Sequence, residues 1–212
     1  MREFKTTWED FGLVRTTDFA GTMLNIALFG TSADPPTAGH LAILKWLASH
    51  YDLVAVWASD NPFKQCQTPL DHRMSMLNLL IREAKQNNIE LHKDLSDQRS
   101  LLSVRKAQTI WGKDHKYYLV IGSDLLGQLP CWYQSVELFK LAEILIIPRP
   151  NYPIDFKDID ALQLKGAKWQ IADLQGLAVS STDYRLAKVT EILIQPVKDY
   201  IQKRHLYEKR TD

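Results

Sequence analysis

The stretch Gly30-Thr31-Ser32-Ala33-Asp34-Pro35-Pro36-Thr37-Ala38-Gly39-His40 decides the fold. An apolar run precedes it, Leu24-Asn25-Ile26-Ala27-Leu28-Phe29, and reads as a buried strand. Leu41-Ala42-Ile43-Leu44-Lys45-Trp46-Leu47-Ala48 follows it and reads as a helix. A strand, a turn of small residues and a helix start is the layout that presents backbone N–H groups and a helix dipole to a phosphate. The stretch is therefore read as a nucleoside triphosphate site with His40 at the phosphates. Gly30 and Gly39 let backbone approach a ligand or take positive φ. Pro35-Pro36 stiffens the turn and keeps Asp34 out of the helical region. Thr37 is the candidate N-cap, which puts His40 in the first helical turn. There its imidazole can donate a hydrogen bond to an anion, although the dipole opposes a positive ring. Alone, Gly-x-His reads as readily as a structural loop with a partly buried histidine. The Walker phosphate loop is excluded, because no Gly-Lys-Ser/Thr follows, and the Gly-x-Gly-x-x-Gly fingerprint is absent.

Outward from that stretch, strands and helices alternate. Strands are expected over residues 24–29, 52–58, 89–92, 117–121 and 143–148, with an edge strand over 169–173. Helices are expected over 39–50, 70–87, 100–111 and 136–139, and one starts at 180–182. In the second of these helices Met74, Leu77, Leu80, Ile81 and Ala84 form the apolar stripe, with Arg73 and Arg82 off it. This order implies an α/β fold with a doubly wound, mostly parallel sheet. Ligands of such sheets sit beyond the carboxyl ends of the strands, at the switch point. Loops 30–40, 59–65, 122–133 and 180–185 are expected to converge there.

The totals are those of one globular domain. The chain has 212 residues, 45% hydrophobic and 24% charged, with a formal net charge of +1. That balance gives no electrostatic case for bulk nucleic-acid or membrane binding. Two cysteines, Cys66 and Cys131, make neither a disulfide framework nor a zinc site, so a reducing cytoplasm is expected. The first residues carry no apolar core of a signal peptide. No apolar run reaches the length of a membrane span. Residues 1–22 are read as an N-terminal extension of unassigned role and 23–212 as a single domain.

Taken whole, Gly-x-x-x-Asp-Pro-x-Thr-x-Gly-His after a first strand resembles the signature of the nucleotidyltransferase superfamily with the His/Thr-x-Gly-His motif. Further blocks resemble one branch, the bacterial nicotinate-nucleotide adenylyltransferases. They are Ile121-Gly122-Ser123-Asp124, Pro130-Cys131-Trp132-Tyr133, Pro148-Arg149-Pro150-Asn151-Tyr152, Val179-Ser180-Ser181-Thr182-Asp183-Tyr184-Arg185 and Pro196-Val197-Lys198-Asp199-Tyr200-Ile201. The resemblance runs from about Leu24 to Tyr207, with the blocks in family order.

The resemblance implies a Rossmann-like nucleotidyltransferase fold and an enzyme joining ATP to nicotinate mononucleotide, with release of pyrophosphate. His40, Thr37 and Arg185 would be the catalytic groups. ATP would lie against Gly30, Thr31, Ser32, Gly39, His40, Gly122, Asp124, Ser180, Ser181, Thr182 and Arg185. The mononucleotide would meet Lys64, Trp132, Tyr133 and Arg149. Mg²⁺ would travel with ATP, since no carboxylate cluster for a protein-held metal is visible. Read from the residues alone, Asp124 is equally a helix N-cap, Trp132 a core aromatic, Lys64 a solvated loop lysine and Arg73 a surface ion-pair partner. Asp34 reads as a turn residue satisfying backbone N–H groups.

The chain also departs from the branch. Thr37 stands where it usually has a first His, Phe63 replaces a His beside Lys64, and Thr31 and Ala33 replace Gly and Phe. Its Pro-Ser-Tyr-Thr segment is replaced near Ser100 by Arg99-Ser100-Leu101-Leu102-Ser103. Nicotinamide mononucleotide or phosphopantetheine remain alternative substrates, and a non-catalytic nucleotide-binding regulator is the alternative from another class. Homo-oligomer formation is left open.

Overall fold

A computed structural model describes residues 21–60, 67–174, 179–187 and 189–208. Its sheet has six strands: β1 (Asn25–Thr31), β2 (Leu53–Ala58), β3 (Ile89–Leu91), β4 (Lys116–Gly122), β5 (Glu143–Ile147) and β6 (Trp169–Ile171). They lie in the order β3-β2-β1-β4-β5-β6, and all five pairings are parallel. The period-two alternation of strand side chains feeds two cores. On one face Ile26, Leu28, Ala55, Trp57, Leu119 and Ile144 pack with Val104 of α3 (Ser100–Trp111), Leu138 of α4 (Ser135–Leu141) and Leu162 of α5 (Phe156–Leu164). On the other, Ala27, Phe29, Val54, Val56, Val120 and Leu145 pack with Leu44 of α1 (Ala38–His50) and Leu77 of α2 (Leu70–Ala84). A third cluster joins Met76 on α2 to Tyr184 on α6 (Ser181–Ala187) and to Val197 and Ile201 on α7 (Gln195–Lys203).

The chain lays down β1 to β3 in one direction across the sheet and β4 to β6 in the other, so the switch point lies between β1 and β4. The sheet forks there. Pairing of β1 with β4 ends at Leu28↔Leu119. Beyond that point β1 stays with β2 as far as Thr31↔Ala58. β4 likewise stays with β5 as far as Gly122↔Ile147. The two strand ends that carry the candidate motifs thus part around a cleft at the carboxyl edge.

The expected order of elements stands, with three differences. Helix α2 stops at Ala84, before residue 87, because Lys85 takes a left-handed conformation with φ 55°. Helix α5 was not anticipated. Its start is capped by Asp155, whose carboxylate accepts from the Lys157 N–H at 2.9 Å. The loop expected after β4 is a 3-10 helix, Ser123–Cys131, that carries Leu126 and Leu129 into the core. Among the described residues no helix is long and apolar enough to cross a membrane. Residues 1–20 of the N-terminal extension lie outside the described residues, as do Cys66 and the Lys64 assigned to the mononucleotide.

Candidate active site

Thr37 caps α1, as its position implies, with extended φ −115° and ψ 173°. The cap is reciprocal with the third helical residue, His40. The Thr37 N–H donates to His40 Nδ1 at 3.1 Å, and Thr37 Oγ1 lies 2.9 Å from the same nitrogen. A ring nitrogen that accepts from a backbone N–H carries no proton, so the imidazole is neutral with its hydrogen on Nε2. That arrangement removes the conflict with the helix dipole. The Nε2–H points back to the end of β1, where Thr31 Oγ1 lies 3.0 Å away. Thr37 is fully buried, at 0% exposure, while His40 is half-buried. The cap thus holds the ring and leaves its donor nitrogen at the cleft side of the turn.

The turn itself is tied down from three directions. Asp34, 3% exposed, accepts from the Thr68 N–H at 3.3 Å and from the Tyr207 hydroxyl at 2.5 Å. The backbone N–H it satisfies is therefore that of Thr68, from the segment before α2, rather than one within its own turn. Arg73 on α2 overturns the surface ion-pair reading: it is 2% exposed. Its Nε donates to Thr68 O at 2.8 Å, and its Nη1 to Ser32 O at 3.1 Å and Ser59 O at 2.7 Å. Asp60 is 3.9 Å from its Nη2. Burial lowers the guanidinium pKa, and the nearby Asp34, Asp60 and Tyr207 oppose that shift. Arg73 therefore joins the loops after β1 and β2 beneath the site. It is off the apolar stripe yet inside, because three carbonyls replace its water.

The third tie comes from α6. The Ser181 hydroxyl donates to Pro35 O at 2.8 Å, and Arg185 Nη1 donates to Asp34 O. Arg185 Nη2 also donates to Thr182 Oγ1 at 3.2 Å. Ser180 caps this helix: its N–H and Oγ each lie 2.8 Å from Asp183 Oδ2, and its Oγ accepts from the Asp183 N–H at 3.2 Å. Gly39 faces Val179, whose Cγ2 would meet an added Cβ at 3.0 Å. The expected convergence of the first and last motifs is thus present, atom to atom.

Across the fork the β4 group forms its own cluster. Asp124 Oδ2 pairs with Arg149 Nη1 at 3.0 Å. The other oxygen, Asp124 Oδ1, is buried without a hydrogen-bond partner. Asp124 makes no helix cap, since Gly122 holds that position without a side-chain bond. Ser123 Oγ accepts from the Arg149 N–H at 2.9 Å and donates to Tyr152 O at 2.7 Å, fixing the turn after β5. A Cβ on Gly122 would run into Asp124 and Arg149, so glycine lets this pair lie over the strand end. Trp132 is half-buried and packs on the core, as its apolar reading implies. Tyr133 is exposed. At Gly30 the close approach is to protein: an added Cβ would stand 2.6 Å from the Trp57 ring.

Sequence reasoning did not single out the Thr37–His40 reciprocal cap, the Tyr207–Asp34 bond or the Ser180–Asp183 box. The last was visible as Ser-x-x-Asp before a helix. Tyr207 had no local signal, because its partner is 173 residues away.

The cytidylyltransferase-like family model matches residues 28–187 of the chain. The probable nicotinate-nucleotide adenylyltransferase of Synechocystis sp. is 44% identical over 200 residues, covering 88% of this chain and all of that protein. The nicotinate-nucleotide adenylyltransferase of Bacillus subtilis is 29% identical over 209 residues, with 88% of this chain and 100% of its own length covered. Among solved structures, Plasmodium falciparum nicotinic acid mononucleotide adenylyltransferase complexed with NaAD superposes with a TM-score of 0.75. It covers 89% of this chain and 99% of its own at 20% identity, a likeness of fold. With its strand–turn–helix motif, forked parallel sheet and these relatives together, the chain belongs to the nicotinate-nucleotide adenylyltransferase family of cytidylyltransferase-like nucleotidyltransferases.

Proposed function

We propose that the chain joins ATP and nicotinate mononucleotide to give nicotinate adenine dinucleotide and pyrophosphate, in NAD biosynthesis and in the cytoplasm. One observation supports this above the others. Ser181 and Arg185 of α6 are bonded to the same turn that presents His40, at the mouth of the β1–β4 fork. A hydroxyl, a guanidinium and an imidazole N–H gathered there suit a chain of phosphates.

In this reading the mononucleotide 5′-phosphate attacks the α-phosphorus of ATP in line. One P–O bond forms and the bond to the β-phosphate oxygen breaks, so pyrophosphate leaves with the electron pair. No covalent enzyme intermediate is required, and the protein contributes position and charge. The His40 Nε2–H donates to an α-phosphate oxygen in exchange for Thr31, and Thr37 holds the ring. Ser181 and Arg185 turn from protein carbonyls to the leaving pyrophosphate, and the Thr182 hydroxyl, which accepts from Arg185, donates to it. Ser180 acts as the cap of α6, while Gly30, Thr31, Ser32 and Gly39 shape the turn around the triphosphate. Asp124, with its unpartnered oxygen, is placed to accept from a ribose hydroxyl, and Gly122 keeps that approach open. Trp132, Tyr133 and Arg149 form the mononucleotide side, to which Lys64 is also assigned.

In this reading a Mg²⁺ is carried on the phosphates, where it would neutralise their charge. The deciding assay is pyrophosphate release with ATP and, separately, nicotinate mononucleotide, nicotinamide mononucleotide and phosphopantetheine. Release with nicotinate mononucleotide supports the reading. Release only with phosphopantetheine, or binding of ATP without release in any mixture, overturns it.

A further inference from the structure

Arg99 and Tyr133 are in contact although they follow different strands. Arg99 precedes α3, in the connection that leaves β3, and Tyr133 follows the 3-10 helix after β4. In the sheet those strands lie on opposite sides of the fork. The Arg99 guanidinium carbon nonetheless sits 3.9 Å from the centroid of the Tyr133 ring. A cation at that distance over a ring face is held by the ring quadrupole. The backbone below is fixed as well: the Arg99 N–H donates to Asp97 Oδ1 at 3.1 Å, and Lys106 holds Asp97 Oδ2 at 3.0 Å. Asp97 is thereby occupied with the backbone and with Lys106.

The other arginines of the site already have partners in the protein. Arg73 bonds three carbonyls, Arg149 pairs with Asp124, and Arg185, bonded to Asp34 O and Thr182, is the group assigned to the pyrophosphate. Arg99 is exposed, Tyr133 is 45% exposed, and among the described residues no carboxylate pairs with the Arg99 guanidinium. The structure thus keeps a planar cation, oriented by the aromatic ring of the residue that directly follows Trp132. Nicotinate and nicotinamide mononucleotides differ by one group, a carboxylate in place of a neutral amide. A guanidinium fork pairs with the first through two charge-assisted hydrogen bonds and gains no ion pair with the second.

We propose that Arg99, seated on Tyr133, is a specificity-determining residue that takes the pyridine carboxylate of nicotinate mononucleotide and so selects the acidic substrate. This rests on the adenylyltransferase reading above. It is tested by kcat/KM for both mononucleotides in the full chain and in Arg99→Met and Arg99→Lys variants. Methionine keeps the apolar stem without the charge, and lysine keeps the charge without the fork. The expected result is a wild-type preference for nicotinate mononucleotide that falls at least about tenfold in Arg99→Met, the scale of one lost charged contact. The fall is expected in KM for the mononucleotide, with KM for ATP unmoved and part of the preference kept in Arg99→Lys. A structural role would lower both substrates alike. An unchanged ratio in Arg99→Met, or equal loss on both substrates, overturns the assignment while the adenylyltransferase reading stands. A wild-type enzyme with no preference also overturns it, and one that turns over neither mononucleotide overturns both.

Discussion

The Tyr207 hydroxyl donates to Asp34 Oδ1 at 2.5 Å, linking the last described segment of the chain to the turn after its first strand. Burial, then the bond to Asp34, pushes the phenol pKa well above its ordinary value, so Tyr207 is a neutral donor throughout the physiological range. Its ring also stacks edge-on against Tyr184, 5.5 Å between centroids. Tyr184 directly precedes Arg185, which bonds the carbonyl of the same Asp34. One residue therefore sets both the turn and the helix that carries the arginine.

From this pair we expect Tyr207→Phe to keep the Tyr184 contact and lose the hydroxyl's bond to Asp34. Leaving a buried carboxylate oxygen without its donor costs about 1–3 kcal/mol, read as a lower urea midpoint at unchanged m-value. KM for ATP should rise with it. In an Arg185→Ala background Tyr207→Phe should raise KM for ATP no further, because the two act through one contact. Full additivity in that cycle would show that Tyr207 stabilises the fold without positioning Arg185.

His40 serves two bonds with two nitrogens, and substitutions separate them. His40→Ala should lower kcat/KM by at least about tenfold, or ~1.4 kcal/mol, while the protein stays folded. Asparagine can offer an oxygen near the Nδ1 position and keep the cap, but it has no donor at Nε2. Glutamine can place an N–H near Nε2. We expect His40→Asn to be as impaired as His40→Ala, and His40→Gln to retain more activity than either. Wild-type kcat/KM in His40→Asn would reduce the residue to a helix cap.

What the sequence made legible follows from the range of each interaction. The strands were readable because burial on both faces leaves continuous apolar runs such as 24–29 and 143–148. Their side-by-side order follows once helices alternate with them. Thr37 as cap was a local signal, and the meeting of the 30–40 turn with 180–185 followed from placing both at strand ends. Arg73 was misread because helical periodicity sees one stripe and not the carbonyls of Ser32, Ser59 and Thr68 that solvate a buried guanidinium. Tyr207 and Arg99 escaped because their partners lie on the far sides of the fold, Asp34 and Tyr133. The fork between β1 and β4 is likewise a property of register, and composition carries no trace of it.

Gly30 tests whether the turn's first glycine serves the ligand or the sheet. A methyl there would lie 2.6 Å from Trp57 ring carbons, well inside van der Waals contact, and Trp57 is itself buried in the core. Gly30→Ala should therefore destabilise by about 1–3 kcal/mol, the usual cost of overpacking. Trp57→Phe in the same chain should recover part of that loss, since the smaller ring vacates the space. Thermal midpoints of the two single variants and the double variant give the comparison. A Gly30→Ala protein as stable as wild type would refute the packing role.

Alkaline stability reads the buried tyrosines. Tyr117, inside the sheet core, donates to Gly112 O, and burial pushes its pKa up to about 12. In the unfolded chain a tyrosine titrates near 10. The folded value is the higher one, so the fold favours the neutral phenol. Its contribution is complete below about pH 10 and is lost as pH climbs from there through 12. Within that window each such tyrosine steepens the fall in unfolding free energy by up to about 1.4 kcal/mol per pH unit. Tyr51 and Tyr207, also raised by burial, add to the slope. Tyr117→Phe removes one titrating group along with its bond to Gly112. Urea unfolding at pH 8, 10 and 11 should show the variant less stable than wild type at pH 8. The gap should narrow by pH 11. A constant gap across that range would mean that Tyr117 ionises as easily in the folded protein as in the unfolded one.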